Sequence, residues 1–286
     1  MNETLAGNDG HEEVARFVQL LAVEPLGGDR FRAWNPPHPK DHVQQSLFGG
    51  QVAAHSLRAA QLTVEVDHHI HSLHGYFLRP GKDDAPTDLH VERIRDGKSF
   101  TTRTVVAYQG DEAIFNLTAS FHRDEPGGDF ATPIAPDLPL PDELMDEHPP
   151  RFDRMGVDSP FERIDIPGFS FRDRNETPRR AMWIRLRSPL PDDPALQACA
   201  VTFISDMGVL GAVRTTRGQM RKAAMAASLD HAVWFHRPVR ADEWLLYDIH
   251  AKSTAGSRGL GIGTLHTADG THAVTVGQEG LVRLLG

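Results

Sequence analysis

GGQVAAHSLRAAQL, residues 49–62, decides the fold. The stretch is rich in alanine, free of proline, and places Val52, Ala53, Leu57 and Ala60 on one face, so it predicts a helix lying against something flat. Downstream the period changes to two. HSLHGYFL (71–78), TDLHVERIRDG (87–97), SFTTRTVVAYQGD (99–111) and AIFNLTASFH (113–122) read as strands, separated by turns at Pro80-Gly81, Asp96-Gly97 and Gly110-Asp111. Upstream, Val14, Phe17, Val18 and Leu21 mark an amphipathic helix over 12–21, and a turn at Gly27-Gly28 leads into a strand over 30–34.

The same unit recurs. A strand over 181–188 and the apolar run ACAVTFI lead into a second helix expected at about 206–217. Then come AASLDHAVWFHRP, EWLLYDIHAKSTAG, SRGLGIGTLHTADG and THAVTVGQEGLVRLL, again strand-like and broken by turns. A shift of 158 positions lays residues 48–121 over 206–279 without gaps: Phe77 meets Phe235, Arg79-Pro80 meets Arg237-Pro238, Ser99 meets Ser257, and Gly50 and Ala54 meet Gly208 and Ala212. Identity is sparse, but the order of elements and the coincidence of turns favour duplication. A helix wrapped by an antiparallel sheet is the hot-dog arrangement. The expected fold is therefore α+β, a tandem double hot-dog whose two sheets join edge to edge and so hide their edges. The division expected is 11–125 for the first unit, 126–178 for a linker and 179–286 for the second. The linker reading rests on seven prolines from Pro126 to Pro150, a density unsuited to helix or sheet interior.

Composition narrows the function. With 40% hydrophobic and 24% charged residues the chain is an ordinary globular one. A net charge of −9 argues against nucleic acid as a partner, but leaves Arg79, Lys82, Arg93, Arg95, Lys98, Arg237 and Arg258 as candidates for a local patch that would take a small phosphorylated ligand. No run approaches the roughly 18 consecutive apolar residues of a membrane span. Cys199 is the single cysteine, so no intramolecular disulfide forms, and its apolar neighbours mark a buried thiol. The N-terminus lacks a secretory pattern and the C-terminal Leu-Leu-Gly is not a peroxisomal address, so the cytoplasm is the expected location.

LFGGQV (47–52), HSLHGYFLRPG (71–81), RDGKSF (95–100) and LTASF (117–121) in the first half resemble the acyl-CoA thioesterase II family, as do ISDM (204–207), SLDHAVWFHRP (228–238), EWLLY (243–247) and QEG (278–280) in the second. The match is collinear from about Val14 to Arg283 and weakest in the proline-rich stretch. The resemblance implies a double hot-dog that hydrolyses fatty acyl-CoA to fatty acid and CoA without a covalent intermediate. It implies a catalytic Asp206, Ser228 and Gln278 that together hold and activate a water, with Ser228 where many relatives have Thr. It implies substrate contacts at Gly49, Gly50, Gln51, His71, Arg95, Lys98 and Ser99. No metal or redox cofactor is implied, CoA being part of the substrate, and a homodimer or larger homo-oligomer is.

The chemistry stands without the family. A thioester carbonyl is electrophilic, so a well-held water needs only a proton acceptor and fixed geometry. An Asp at a helix start lies beside free N–H groups that favour its ionised form. A Ser hydroxyl and a Gln amide each offer a donor and an acceptor, and a helix N-terminus can face a developing oxyanion, with Gly49-Gly50 permitting close approach. Taken singly, Asp206 is a helix cap, and Ser228 and Gln278 are ordinary strand residues; their order within the motifs favours a site. The first copy has Phe48, Ile70 and Ser120 at the matching positions, so one active site per chain is expected.

Other patterns are weaker. His68, His69, His71 and His74 alternate faces on a strand and do not make a zinc pattern. Asp230-His231 fits a supporting role beside Ser228. Gly259, Gly261 and Gly263 lack the following helix of a nucleotide fingerprint, and no nucleophile elbow is present. Two rivals remain. A hot-dog enoyl-CoA hydratase needs an Asp–His pair on the first or second helix; His55 lies in the first and Asp206 in the second, but nothing in the sequence pairs them. A non-catalytic acyl-CoA sensor would bind without turnover.

Overall fold

The structure is a computed structural model, and it describes residues 3–35, 46–131, 135–152, 160–170, 178–215 and 223–284. The first half opens with helix α1 (Glu3–Leu21) and the hairpin β1 (Val23–Gly27) and β2 (Arg30–Ala33). Helix α2 (Gly49–Gln61) follows, then β3 (His68–Phe77), β4 (Thr87–Asp96), β5 (Phe100–Gln109) and β6 (Glu112–Arg123). The connecting stretch carries α3 (Pro141–Leu144), β7 (Arg151–Phe152) and β8 (Phe161–Asp165). The second half is β9 (Arg179–Leu186), α4 (Pro194–Ser205), α5 (Val209–Thr215), β10 (Ala223–Ser228), β11 (Asp230–Phe235), β12 (Leu245–Ala255), β13 (Arg258–Thr267) and β14 (His272–Leu284).

All the strands form one 14-stranded sheet, in the order β1-β2-β4-β5-β6-β3-β11-β14-β13-β12-β9-β8-β7, with β10 also paired to β14. Outward from the β3–β11 seam, the two sides repeat one order of strands. Across that seam His74 pairs with Ala232, residues 158 apart, so the pseudo-twofold axis passes through this pair. The bulges repeat too. One between Arg93 and Arg95 recurs between Ala251 and Ser253, and one between Ala107 and Tyr108 recurs between Leu265 and His266. The chain is a tandem double hot-dog.

The repeat is not free of gaps. Gln278 faces Gly261, whereas Arg103, 158 residues before Gly261, faces Ala119. The last strand is therefore offset by 159 residues. Its turn is one residue longer, since Tyr108 pairs with Ala113 but His266 pairs with His272. The first-half counterpart of Gln278 is Ala119, not Ser120, and it is equally unable to supply an amide.

Helix α2 is buried from Gly50 to Leu57 and again at Ala59 and Ala60, between β4–β6 and α4. Alanine suits it because small side chains let helix and sheet approach closely while keeping helix propensity. In the second half the strands supply the small residues. A Cβ on Gly259 would lie 2.1 Å from Val213 Cγ1, and one on Gly261 2.5 Å from Val209 Cγ1, so the glycine stripe of β13 seats α5.

Two expectations need correction. ACAVTFI is not a lead-in: it lies inside α4, which is buried from Leu196 to Ser205. Buried on all sides, α4 shows no amphipathic period; its start signals are the Asp193 N-cap, which accepts from Ala195 N–H at 2.9 Å, and Pro194 in the first turn. Gly208, with φ +96°, ends the α4–α5 link, and the expected second helix begins only at Val209; residues 216–217 lie outside the described residues. The proline-rich stretch is also more than a surface linker, although Pro133 lies outside the described residues. Strand β8 extends the sheet, Phe161 packs against Phe17 and Phe203, and Trp183 donates to Pro139 O at 2.8 Å. By length and composition Pro194–Arg214 is apolar enough to cross a bilayer, but most of it is buried inside the molecule as core helix.

Candidate active site at the break between α4 and α5

Asp206 is the C-cap of α4, with φ −81° and ψ −6°, not the start of a helix. Its carboxylate instead serves the other half of the molecule. Phe48, the N-cap of α2, offers no side-chain acceptor, and Asp206 Oδ2 accepts from Gly50 N–H at 2.9 Å. The expected favourable N–H is thus supplied by α2, across the pseudo-twofold. Asp206 Oδ1 accepts from Gln278 Nε2 at 2.7 Å, and the same nitrogen donates to Ser228 Oγ at 2.6 Å. Strands β10 and β14 pair next to these residues, with Ser228 opposite Gly280. Asp206, Ser228 and Gln278 are therefore one hydrogen-bonded cluster. The local N–H donors do not win electrostatically: burial raises the Asp206 carboxyl to about 6, with Gln278 and Gly50 pulling the other way.

The two glycines are needed sterically. A Cβ on Gly49 would lie 2.8 Å from Asp206 Oδ2 and from the Phe77 ring; one on Gly50 would lie 2.4 Å from Phe203 O. Phe48, Phe77 and Phe203 wall the cluster, Phe48 and Phe203 with ring centroids 4.9 Å apart. Behind Asp206, Tyr247 donates to Ser205 O at 2.5 Å and Ser205 Oγ lies 2.7 Å from His231 Nε2. Sequence reasoning missed Ser205 and Tyr247, although both fall inside the quoted ISDM and EWLLY stretches.

The other expected contacts are dispersed. Gln51 donates to Asn35 Oδ1 at 2.7 Å beside the site. His71 sits six residues from Phe77 along β3, about 20 Å away at strand spacing, where its Nε2 lies 2.8 Å from Ser120 Oγ. Arg95, near the end of β4, and Lys98 and Ser99, in the β4–β5 turn, lie at that same far end, with Ser99 donating to Glu125 at 2.6 Å. The basic residues do not gather into one patch: Arg93 pairs with Asp29, Arg237 with Asp129 and Arg258 with Glu279, while Arg79, paired with Glu112, and Lys82 follow β3 at the Asp206 end. The four histidines do not converge. A bulge between Ile70 and Ser72 resets the expected alternation, so His68 is buried beside Asp67 while His74 is exposed beside Asp230. Among the described residues no three His, Cys, Asp or Glu side chains are grouped as a metal site. His55 Nε2 lies 2.6 Å from Leu20 O, and burial lowers its pKa to about 4. It ties α1 to α2 instead of pairing with Asp206, so the hydratase constellation is not formed.

Fold and cluster together define a class: a double hot-dog protein whose second half carries a hydrogen-bonded carboxylate–hydroxyl–amide cluster. The N-terminal acyl-CoA thioesterase domain matches residues 37–122 and the C-terminal acyl-CoA thioesterase domain matches 135–282. The chain is 36% identical to acyl-coenzyme A thioesterase 8 of Mus musculus, over 93% of this chain and 88% of that protein. It is 30% identical to acyl-CoA thioesterase 2 of Haemophilus influenzae, over 93% and 96%. The crystal structure of an acyl-CoA thioesterase II from Mycobacterium marinum matches with a TM-score of 0.78 at 36% identity, covering 95% of this chain and 98% of that one. This chain belongs to the acyl-CoA thioesterase II family.

Proposed function

We propose that the protein hydrolyses fatty acyl-CoA to free fatty acid and CoA by direct attack of a water held by Asp206, Ser228 and Gln278. The observation that carries this reading is the Gln278 amide, whose nitrogen bridges Asp206 Oδ1 at 2.7 Å and Ser228 Oγ at 2.6 Å. Ionised Asp206 takes a proton from the water as its oxygen adds to the thioester carbonyl. Of the N–H groups at the start of α2, that of Gly49 faces the developing oxyanion, since Gly50 donates to Asp206 and Gln51 to Phe48 O. Collapse breaks the C–S bond, and the proton held by Asp206 passes to the departing sulfur, giving acid and thiol. A carboxyl near 6 is poised for such work at neutral pH. The acyl chain lies against the phenylalanine wall, and Arg79 and Lys82 are the cations best placed for the CoA phosphates. This scheme calls on no metal or redox cofactor.

A cytoplasmic setting and a homodimer or larger assembly belong to the same proposal. Free, buried Cys199 fits a reducing compartment. Tyr76 and Trp234, 52% and 43% exposed on the adjoining strands of the seam, offer apolar surface to a second copy. The test is release of free thiol from fatty acyl-CoAs of graded length. Wild type is expected to turn over, and Asp206→Ala to be slower by about 10²–10⁴-fold with its fold retained. Wild-type protein that binds acyl-CoA without releasing thiol would make it a sensor instead.

A further inference from the structure

His231 lies at the back of the Asp206 cluster with no exposed surface, and the reaction scheme above leaves it without a task. It occupies β11, and the pairing of Ala232 with Gly277 makes His231 and Gln278 the next pair along the two strands. Cross-strand neighbours of this kind point to one face with Cβ atoms about 5 Å apart. Two polar atoms are left over there. Both protons of the Gln278 amide are used, on Asp206 and Ser228, and its Oε1 is buried with no hydrogen-bond partner. His231 Nδ1 is likewise buried with no partner, and the Gln278 amide is close enough to favour the charged imidazole.

We propose that His231 is a positioning residue that donates Nδ1–H to Gln278 Oε1 and so fixes which end of the amide faces Asp206. The role rests on the water-activation reading of that cluster. The proton count supports it. Burial, outweighing Asp230 beside it, pushes the imidazole down to about 4, with His74 acting in the same direction as burial, so the ring carries one proton at working pH. The hydroxyl of Ser205 has one proton and two acceptors at 2.7 Å, Thr202 O and His231 Nε2. Turned toward Nε2, it leaves the ring proton on Nδ1, facing Oε1. The other tautomer sets two buried lone pairs against each other. With Oε1 anchored, the nitrogen end points at Asp206 and Ser228. Without the anchor only the charge of Asp206 opposes rotation of the amide, and protonating Asp206 removes that opposition.

Three measurements test this. Nitrogen-15 NMR of histidine-labelled wild type is expected to show a non-titrating Nδ1–H tautomer assigned to His231. His231→Phe, which keeps ring bulk, is expected to lower kcat about tenfold with KM within about twofold, and to move the acid limb of kcat upward. His231→Asn, whose amide nitrogen falls near the Nδ1 position, is expected to recover most of kcat, while His231→Gln behaves like His231→Phe. An Nε2–H tautomer, or unchanged kcat and pH profile in His231→Phe, overturns the proposal, and if that variant does not fold the tautomer decides. Asp206→Ala separates the two readings. If it is inactive while His231→Phe is fully active, only the role of His231 falls; if it keeps the wild-type rate, water activation falls as well.

Discussion

Asp206 serves as an anion at the end of α2 while burial resists its charge. The balance leaves its carboxyl raised from 3.8 to about 6, because desolvation outweighs the hydrogen bonds from Gln278 and Gly50. Thiol release should therefore rise about tenfold per pH step below about 6 and level off above it, as a profile from pH 4.5 to 8 would record. The same shift sets a stability dependence. The folded state holds this proton more tightly than the unfolded chain, so the stabilisation is complete below about 4 and is lost as pH rises through about 6. Asp206→Asn abolishes that dependence and should gain on wild type by at most about 3 kcal/mol between pH 4 and 7, read from paired thermal melts. Gly49 shows how tightly the carboxylate is held. In Gly49→Ala the new methyl meets Asp206 Oδ2 and Phe77 at 2.8 Å, and kcat should fall about a hundredfold while the melting temperature moves little. The motif drew Asp206 out as a candidate, and the structure joins it to Ser228 and Gln278. Its partner N–H was not legible, because Gly50 lies 156 residues away and no local pattern signals a helix capped from the other half.

At the level of elements, what the sequence disclosed follows from what each element touches. Helix α2 and the strands around it were legible because alanine spacing, alternation and Asp-Gly turns each report local geometry. Helix α4 was not: with Leu196–Ser205 buried on every side, its apolar run carries no period. The mistake propagated to Asp206, which looked like a helix start and is a helix end. The one-residue insertion before β14 was hidden for a related reason, since only strand register distinguishes Ala119 from Ser120 as the counterpart of Gln278. The glycine stripe of β13 seats α5. Gly259→Ala, a change that ordinarily favours a strand, should here cost about 1–3 kcal/mol by chemical denaturation, because its methyl would meet Val213 at 2.1 Å.

For the whole molecule, one duplicated unit has become two unequal ones. The seam at His74 and Ala232 and the recurring bulges preserve the symmetry of the sheet. The side chains of the cluster are not repeated: Asp206, Ser228 and Gln278 answer to Phe48, Ile70 and Ala119. The first half still contributes, since α2 presents Gly50 N–H to the second half's carboxylate. The hydrogen-bonded cluster thus draws on both units. The most direct test of this asymmetry is the residual rate of thiol release by folded Asp206→Ala at saturating fatty acyl-CoA. A single site per chain leaves below about 1% of the wild-type rate, and a rate near half or more would mean a second site or a different proton acceptor.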